Sequence, residues 1–172
     1  MDAQASANYP TTSDALSIRH TEGIFVGYRG YEKNHITPQY PFGFGLSYTD
    51  FHYSDLDISK VTSEDSVEVS FTLTNTGQRA GAEIAELYVG QRNPKIERPP
   101  KELKGFWKVY LQPGESRRVT LPLDQRSFAF FNTGKRLWDA EPSTYDIMIG
   151  ASSQDIRLSG QLTLKSELDS QP

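Results

Sequence analysis

Along most of the chain, apolar and polar residues alternate in short runs. In "VEVSFTLTN", Val67, Val69, Phe71 and Leu73 fall on one side of an extended backbone, and Glu68, Ser70, Thr72 and Thr74 on the other. One side suits a core and the other suits water. Runs of this kind, separated by turn residues every 8 to 12 positions or so, predict seven strands. These are Phe51 to Ile58, Val67 to Asn75, Glu83 to Gly90, Leu103 to Leu111, Ser116 to Leu123, Ser143 to Gly150 and Arg157 to Leu164. Short strands at that spacing predict an all-β sandwich of about seven strands, preceded by an N-terminal extended segment.

The punctuation between the runs supports this reading. "NTGQRAG" and "QPGE" place glycine where a turn needs positive φ. "NPKIERPPKE" carries three prolines that cannot donate ladder hydrogen bonds, so it is expected to lie over another surface. In "LKGFWKVYL" the apolar spacing slips from three residues to two, which predicts a bulge.

Before Phe51 the grammar is different. Residues 1–15 are small and polar and read as a disordered lead-in, and 167–172 as a disordered tail. In "LSIRHTEGIFVGYRGYE", Ile24, Val26 and Tyr28 alternate with Phe25 and Gly27, which predicts a strand over Gly23 to Arg29, apolar on both faces. Such a strand normally lies inside a larger sheet, and the residues after it supply neither a second strand nor a helix to cover it. An uncovered strand invites self-association through its edge, strand exchange or docking on the chain's own sandwich. "YPFGFGLSYTDF", Tyr40 to Phe51, then gathers five aromatics around two glycines.

The chain has 172 residues, 36% hydrophobic and 23% charged, which fits one folded core with an extension. A net charge of -4 argues against a binder of phosphate backbones. No apolar run approaches the ~20 residues that span a bilayer, and the first residues lack the pattern of a signal peptide; the compartment is left open. With no cysteine, thiolate metal sites are excluded, and His20, His35 and His52 have no metal-binding spacing. No cofactor is expected.

Candidate chemistry is sparse. Glycoside hydrolysis needs two carboxylates across a cleft. Glu22 has the most buried-looking context but reads as a hydrogen-bonded strand residue, and Asp57, Asp65, Glu83 and Glu86 read as solvated acids at strand ends or on polar faces. No G-x-S-x-G elbow is present, and the "GFG" at Gly43 to Gly45 opens no helix that would cradle phosphate. Trp107 with Tyr110 forms a candidate carbohydrate platform.

"TEGIFVGYRGYE" followed by "YPFGFGLSYTDF" resembles the end of the second catalytic-side domain of glycoside hydrolase family 3 enzymes, chiefly β-glucosidases, and the linker leaving it. "AELYVG", "RPPKELKGFWKVYLQPGESRRVTLPL" and "YDIMIGASSQDIRLSG" are similar to the fibronectin type III-like domain that follows. The likeness runs from Ile18 to Leu164 and implies a remnant of an α/β domain with linker over 16–50 and a sandwich over 51–166. It implies that the catalytic Asp and Glu lie upstream; Ser13 and Asp14 are followed by Ala15 rather than the bulky residue of the family's nucleophile motif, so no catalytic residue is carried over. An isolated chain of this kind is expected not to be an enzyme. The parent would hydrolyse terminal β-D-glucosides, with this domain bracing its catalytic domains or, in a second reading, anchoring it to polysaccharide or lignin.

Within that resemblance the aromatic segment reads as an interdomain seam. Its contact residues are Tyr40, Phe42, Gly43, Phe44, Gly45, Leu46, Tyr48 and Phe51, joined by Lys101, Glu102, Leu103 and Phe106. Two departures stand out: Ser143 where the family commonly has Gly, and Trp107 where it has a polar or basic residue.

Overall fold

A computed structural model describes residues 22–61, 66–165 and 168–170, with backbone alone for 60, 61 and 168–170. The lead-in over 1–15, Ser13, Asp14, His20 and Asp65 lie outside the described residues. Strands β1 (Phe51–Val61), β2 (Ser66–Asn75) and β5 (Ser116–Leu123) form one antiparallel sheet in the order β1-β2-β5. Strands β3 (Gly81–Gln91), β4 (Glu102–Leu111), β8 (Ser143–Gly150) and β9 (Ile156–Leu164) form the other, in the order β4-β3-β8-β9. All seven expected strands are present. Three short ones were not expected: β6 (Phe130–Asn132), β7 (Leu137–Ala140) and β10 (Leu168–Ser170), which make a small third sheet. β10 pairs with β7 where a disordered tail was expected.

The two large sheets close on the residues that the two-residue period marks. Val69, Phe71, Leu73, Leu87, Leu111, Leu123, Ile147 and Ile149 have no exposed surface. At roughly 1.5–3 kcal/mol for each large apolar side chain, burial of this row is the main force holding the sheets together. β1 keeps its inward face through a bulge between Ser54 and Asp57, where Asp55 takes φ 55°. The extra residue shifts the inward positions from Tyr53 to Leu56 and Ile58, which pack on the core. The spacing slip in β4 is not a bulge at that place: Phe106 to Leu111 pair without a break, and the slip arises because Phe106 faces outward. A bulge lies earlier, where Leu87 opposes Gly105 and Tyr88 opposes Leu103.

Asn75, a buried polar residue, locks the corner between the sheets. Its Nδ2 donates to the carbonyls of Arg79 (2.7 Å) and Leu111 (3.1 Å), and its Oδ1 accepts from Thr49 Oγ1 (2.6 Å) and the Gly77 amide (3.1 Å). Ser143 fits its place without glycine's freedom, because its hydroxyl donates to the Arg92 carbonyl at 2.9 Å.

The N-terminal segment departs from expectation. Gly23 to Arg29 is not a strand: Gly23 and Gly27 take φ 58° and 63°, the Phe25 amide bonds back to the Glu22 carbonyl, and helix α1 spans Tyr28–Lys33. Apolar alternation suggests a strand, but two left-handed glycines five residues from end to end bend the backbone out of one. A free strand edge at this place is therefore absent, and Glu22 lies in a turn rather than a ladder.

Candidate interdomain surface

Tyr28 and Glu32, one helical turn apart on α1, face the outer side of the β4-β3-β8-β9 sheet. The Leu103 amide donates to Tyr28 Oη at 2.8 Å, and Lys101 Nζ binds Glu32 Oε1 at 2.6 Å with both side chains largely buried. The Tyr28 ring meets the buried Tyr88 edge-on at 5.9 Å and lies 5.2 Å from Phe42. The Phe42 carbonyl in turn accepts from the Ser153 amide at 2.8 Å. Beside it Gly43, at φ 84°, lies on the Glu86 carboxylate: a Cβ there would collide with its oxygens. Residues 40–48 thus form a strap across the sheet's outer face, pinned by Tyr28, Phe42 and Gly43.

Burial raises the Glu86 carboxyl above the ordinary range, opposed by the hydrogen bond that Tyr88 Oη donates to Oε2 at 2.5 Å. The Tyr88 hydroxyl is pushed up by its own burial and by Glu86. At Glu102, burial would raise the carboxyl, but Lys104, Arg98 and Arg29 hold it below the usual value. Arg98, almost wholly buried, also binds Gln91 and the carbonyls of Phe128 and Ala129, which fastens the proline-rich excursion to the sandwich.

The expected seam residues separate into four groups. Tyr40, Phe42, Gly43 and Phe44 belong to the strap, with Tyr40 and Phe44 rings 5.3 Å apart, and Gly45 lines the groove beside it. Lys101, Glu102 and Leu103 bind α1. Phe51 instead packs against the core. Leu46 and Tyr48 are 93% and 90% exposed, and Phe106 is 61% exposed. A groove lined by Gly45, Leu46, Ser47, Ile84 and Lys108 joins the strap to the outer faces of β3 and β4.

Trp107 and Tyr110 are both more than half exposed, but they do not form one platform. Three residues apart on β4, they point to opposite faces: Trp107 follows the parity of buried Val109 and Leu111, and Tyr110 that of Phe106 and Lys108. Nor do the candidate acids assemble. Asp57 is exposed, Glu83 accepts from Tyr53 Oη at 2.9 Å, and Glu86 is covered by the strap. Among the described residues no group of acids and histidines is placed to hold a metal ion, and no helix is long and apolar enough to cross a membrane. Asn75 and the Glu32–Lys101 pair escaped sequence reasoning, since their partners are distant in the chain.

Residues 83–153 match the family described as the fibronectin type III-like domain. The chain is 45% identical over 161 residues to "Thermostable beta-glucosidase B" of Acetivibrio thermocellus, covering 92% of this chain and 21% of that protein. It is 36% identical to "Exo-alpha-(1->6)-L-arabinopyranosidase" of Bifidobacterium breve, covering 99% of this chain and 22% of the relative. Among solved structures, β-glucosidase 3B from Thermotoga neapolitana superposes with a TM-score of 0.83 at 40% identity, over 90% of this chain and 21% of that one. The chain spans about a fifth of the length of the curated relatives it matches.

Proposed function

Since the chain belongs to the fibronectin type III-like, C-terminal region of glycoside hydrolase family 3 β-glucosidases, we propose that it is a non-catalytic brace for the catalytic domains of a longer enzyme. The observation that carries the reading is the strap with its neighbours. Tyr40, Phe42, Phe44, Leu46, Tyr48, Ile84 and Phe106 are each 44% or more exposed. Side chains this large, grouped on one face, leave more apolar surface in water than the few hundred Å2 usual for a monomer. The catalytic domains would cover that surface, with 16–50 as the remnant of the α/β domain and its linker. The parent would act on terminal β-D-glucosides, although the relative from Bifidobacterium breve is named for an arabinopyranoside instead.

The test compares the same substitution in two settings. Phe42→Ala or Phe44→Ala is expected to lower the melting temperature of the longer enzyme more than that of this chain alone; equal losses would overturn the brace. Hydrolysis of a chromogenic β-glucoside by the pure chain would also contradict it. The second reading, a module that holds the enzyme on polysaccharide or lignin, is favoured by the exposure of Trp107. Depletion of the chain from solution by cellulose, xylan or lignin, lost in Trp107→Ala, would support it.

A further inference from the structure

β4 is an edge strand of the four-stranded sheet. β4 has β3 on one side and no strand on the other among the described residues. Its two ends are occupied: the Leu103 amide donates to Tyr28, and the Leu111 carbonyl accepts from Asn75. Between them, about half of the backbone N–H and C=O groups of residues 104–110 face away from β3.

Natural edges are blunted by charge, proline or bulges. β5 carries exposed Arg117 and Arg118 with Pro122, and β1 carries its bulge at Asp55. On β4 the bulge lies at the start of the strand, and Lys104 is turned onto Glu102 at 3.5 Å with little exposure. Only Lys108 remains as an exposed charge on the middle of the rim. Around it, Phe106 and Tyr110 stand 61% and 56% exposed on one face, and Trp107 57% exposed on the other.

We propose that β4 pairs antiparallel with β4 of a second copy of this chain, about a twofold axis at Trp107. That register places Trp107 opposite its counterpart, Phe106 opposite Lys108, and Lys104 opposite Tyr110. No like charges face each other, and the exposed Lys108 meets an aromatic ring. A register centred on Phe106 would instead set Lys104 against Lys108. The pairing uses the rim of the sheet and leaves the strap itself free, and it shares with the brace surface only Phe106 and Lys108, where the rim meets the outer face.

Sedimentation equilibrium of the pure chain over roughly 10 µM to 1 mM, the range of a marginal interface, is expected to show a mass rising toward twice the monomer. Trp107→Lys should hold the mass at one monomer throughout, while Leu46→Asp with Tyr48→Asp should leave the rise intact. The chain has no native cysteine, so the register can be read with Trp107 in place. A mixture of Phe106→Cys and Lys108→Cys chains should form a disulfide dimer faster than either variant alone. A monomer at every concentration, a mass rise removed by the Leu46 and Tyr48 changes but not by Trp107→Lys, or equal cross-linking in all mixtures would each overturn the pairing.

Discussion

The two faces of the β4-β3-β8-β9 sheet are built from the same strands and end in different states. On the inner face Ala85, Leu87, Val109, Ile147 and Ile149 are sealed against the other sheet. On the outer face, Ile84 is 44% exposed three residues from fully buried Leu87, and Phe106 is 61% exposed. Both faces carry large apolar side chains, those of the outer face mixed with Glu86 and Lys108. What differs is the partner: the inner face has a whole sheet, the outer face one short helix and a nine-residue strap. The outer face is thus stabilised by a few pins, whereas the inner one is stabilised by continuous packing.

The largest expected effect breaks the finished side. Phe71→Ala removes a fully buried ring stacked on Tyr53 and should cost ~3–5 kcal/mol. Asn75→Ala, which strands two carbonyls and the Thr49 hydroxyl, should cost ~2–4 kcal/mol. Chemical denaturation read by tryptophan fluorescence would measure both; losses below 1 kcal/mol would mean the faces do not differ as described.

Next in size is a break at one pin of the strap. Gly43→Ala forces a Cβ into the Glu86 carboxylate at a φ of 84°, which should cost ~1–3 kcal/mol. Hydrogen exchange should locate the loss: the Ser153 amide, bonded to the Phe42 carbonyl, is expected to exchange faster while amides of β2 keep their protection. Uniform loosening would make the strap part of the core.

These regions were not equally legible in the sequence. Most of the main strands follow from a local period of two, which holds because one sheet face meets the core and the other does not; β3 departs from it, buried from Ala85 to Gly90 because α1 and the strap cover its outer face. α1 was misread because its apolar alternation is compatible with a strand, and the deciding facts, Gly23 and Gly27 at positive φ and Tyr28 meeting Leu103, are conformational or long-range. The short strands β6, β7 and β10 have too few residues to show a period. For the candidate surface, the sequence marked the aromatics but could not assign Phe51 to the core or separate Trp107 from Tyr110 except by strand parity.

A smaller effect should distinguish the faces by pH. Glu86 lies under the strap with its carboxyl raised by burial. A raised carboxyl favours the protonated form in the folded state. Its contribution is therefore complete below the unfolded value near 4.5 and is lost as pH rises through the folded value. Denaturation midpoints should fall over that window, and Glu86→Gln should flatten the fall. A wild-type profile matched by the variant would remove Glu86 from the account.

The smallest expected change in stability is also the sharpest test of the unfinished face. Leu46 and Tyr48 touch almost nothing in this chain, so Leu46→Asp and Tyr48→Asp should each shift its stability by no more than about 0.5 kcal/mol. In the longer enzyme the same changes would place charge in a covered apolar seam, which should cost several-fold more. A surface needed only for solubility would give small values in both settings. A surface shaped for a neighbour gives a small value in one and a large value in the other.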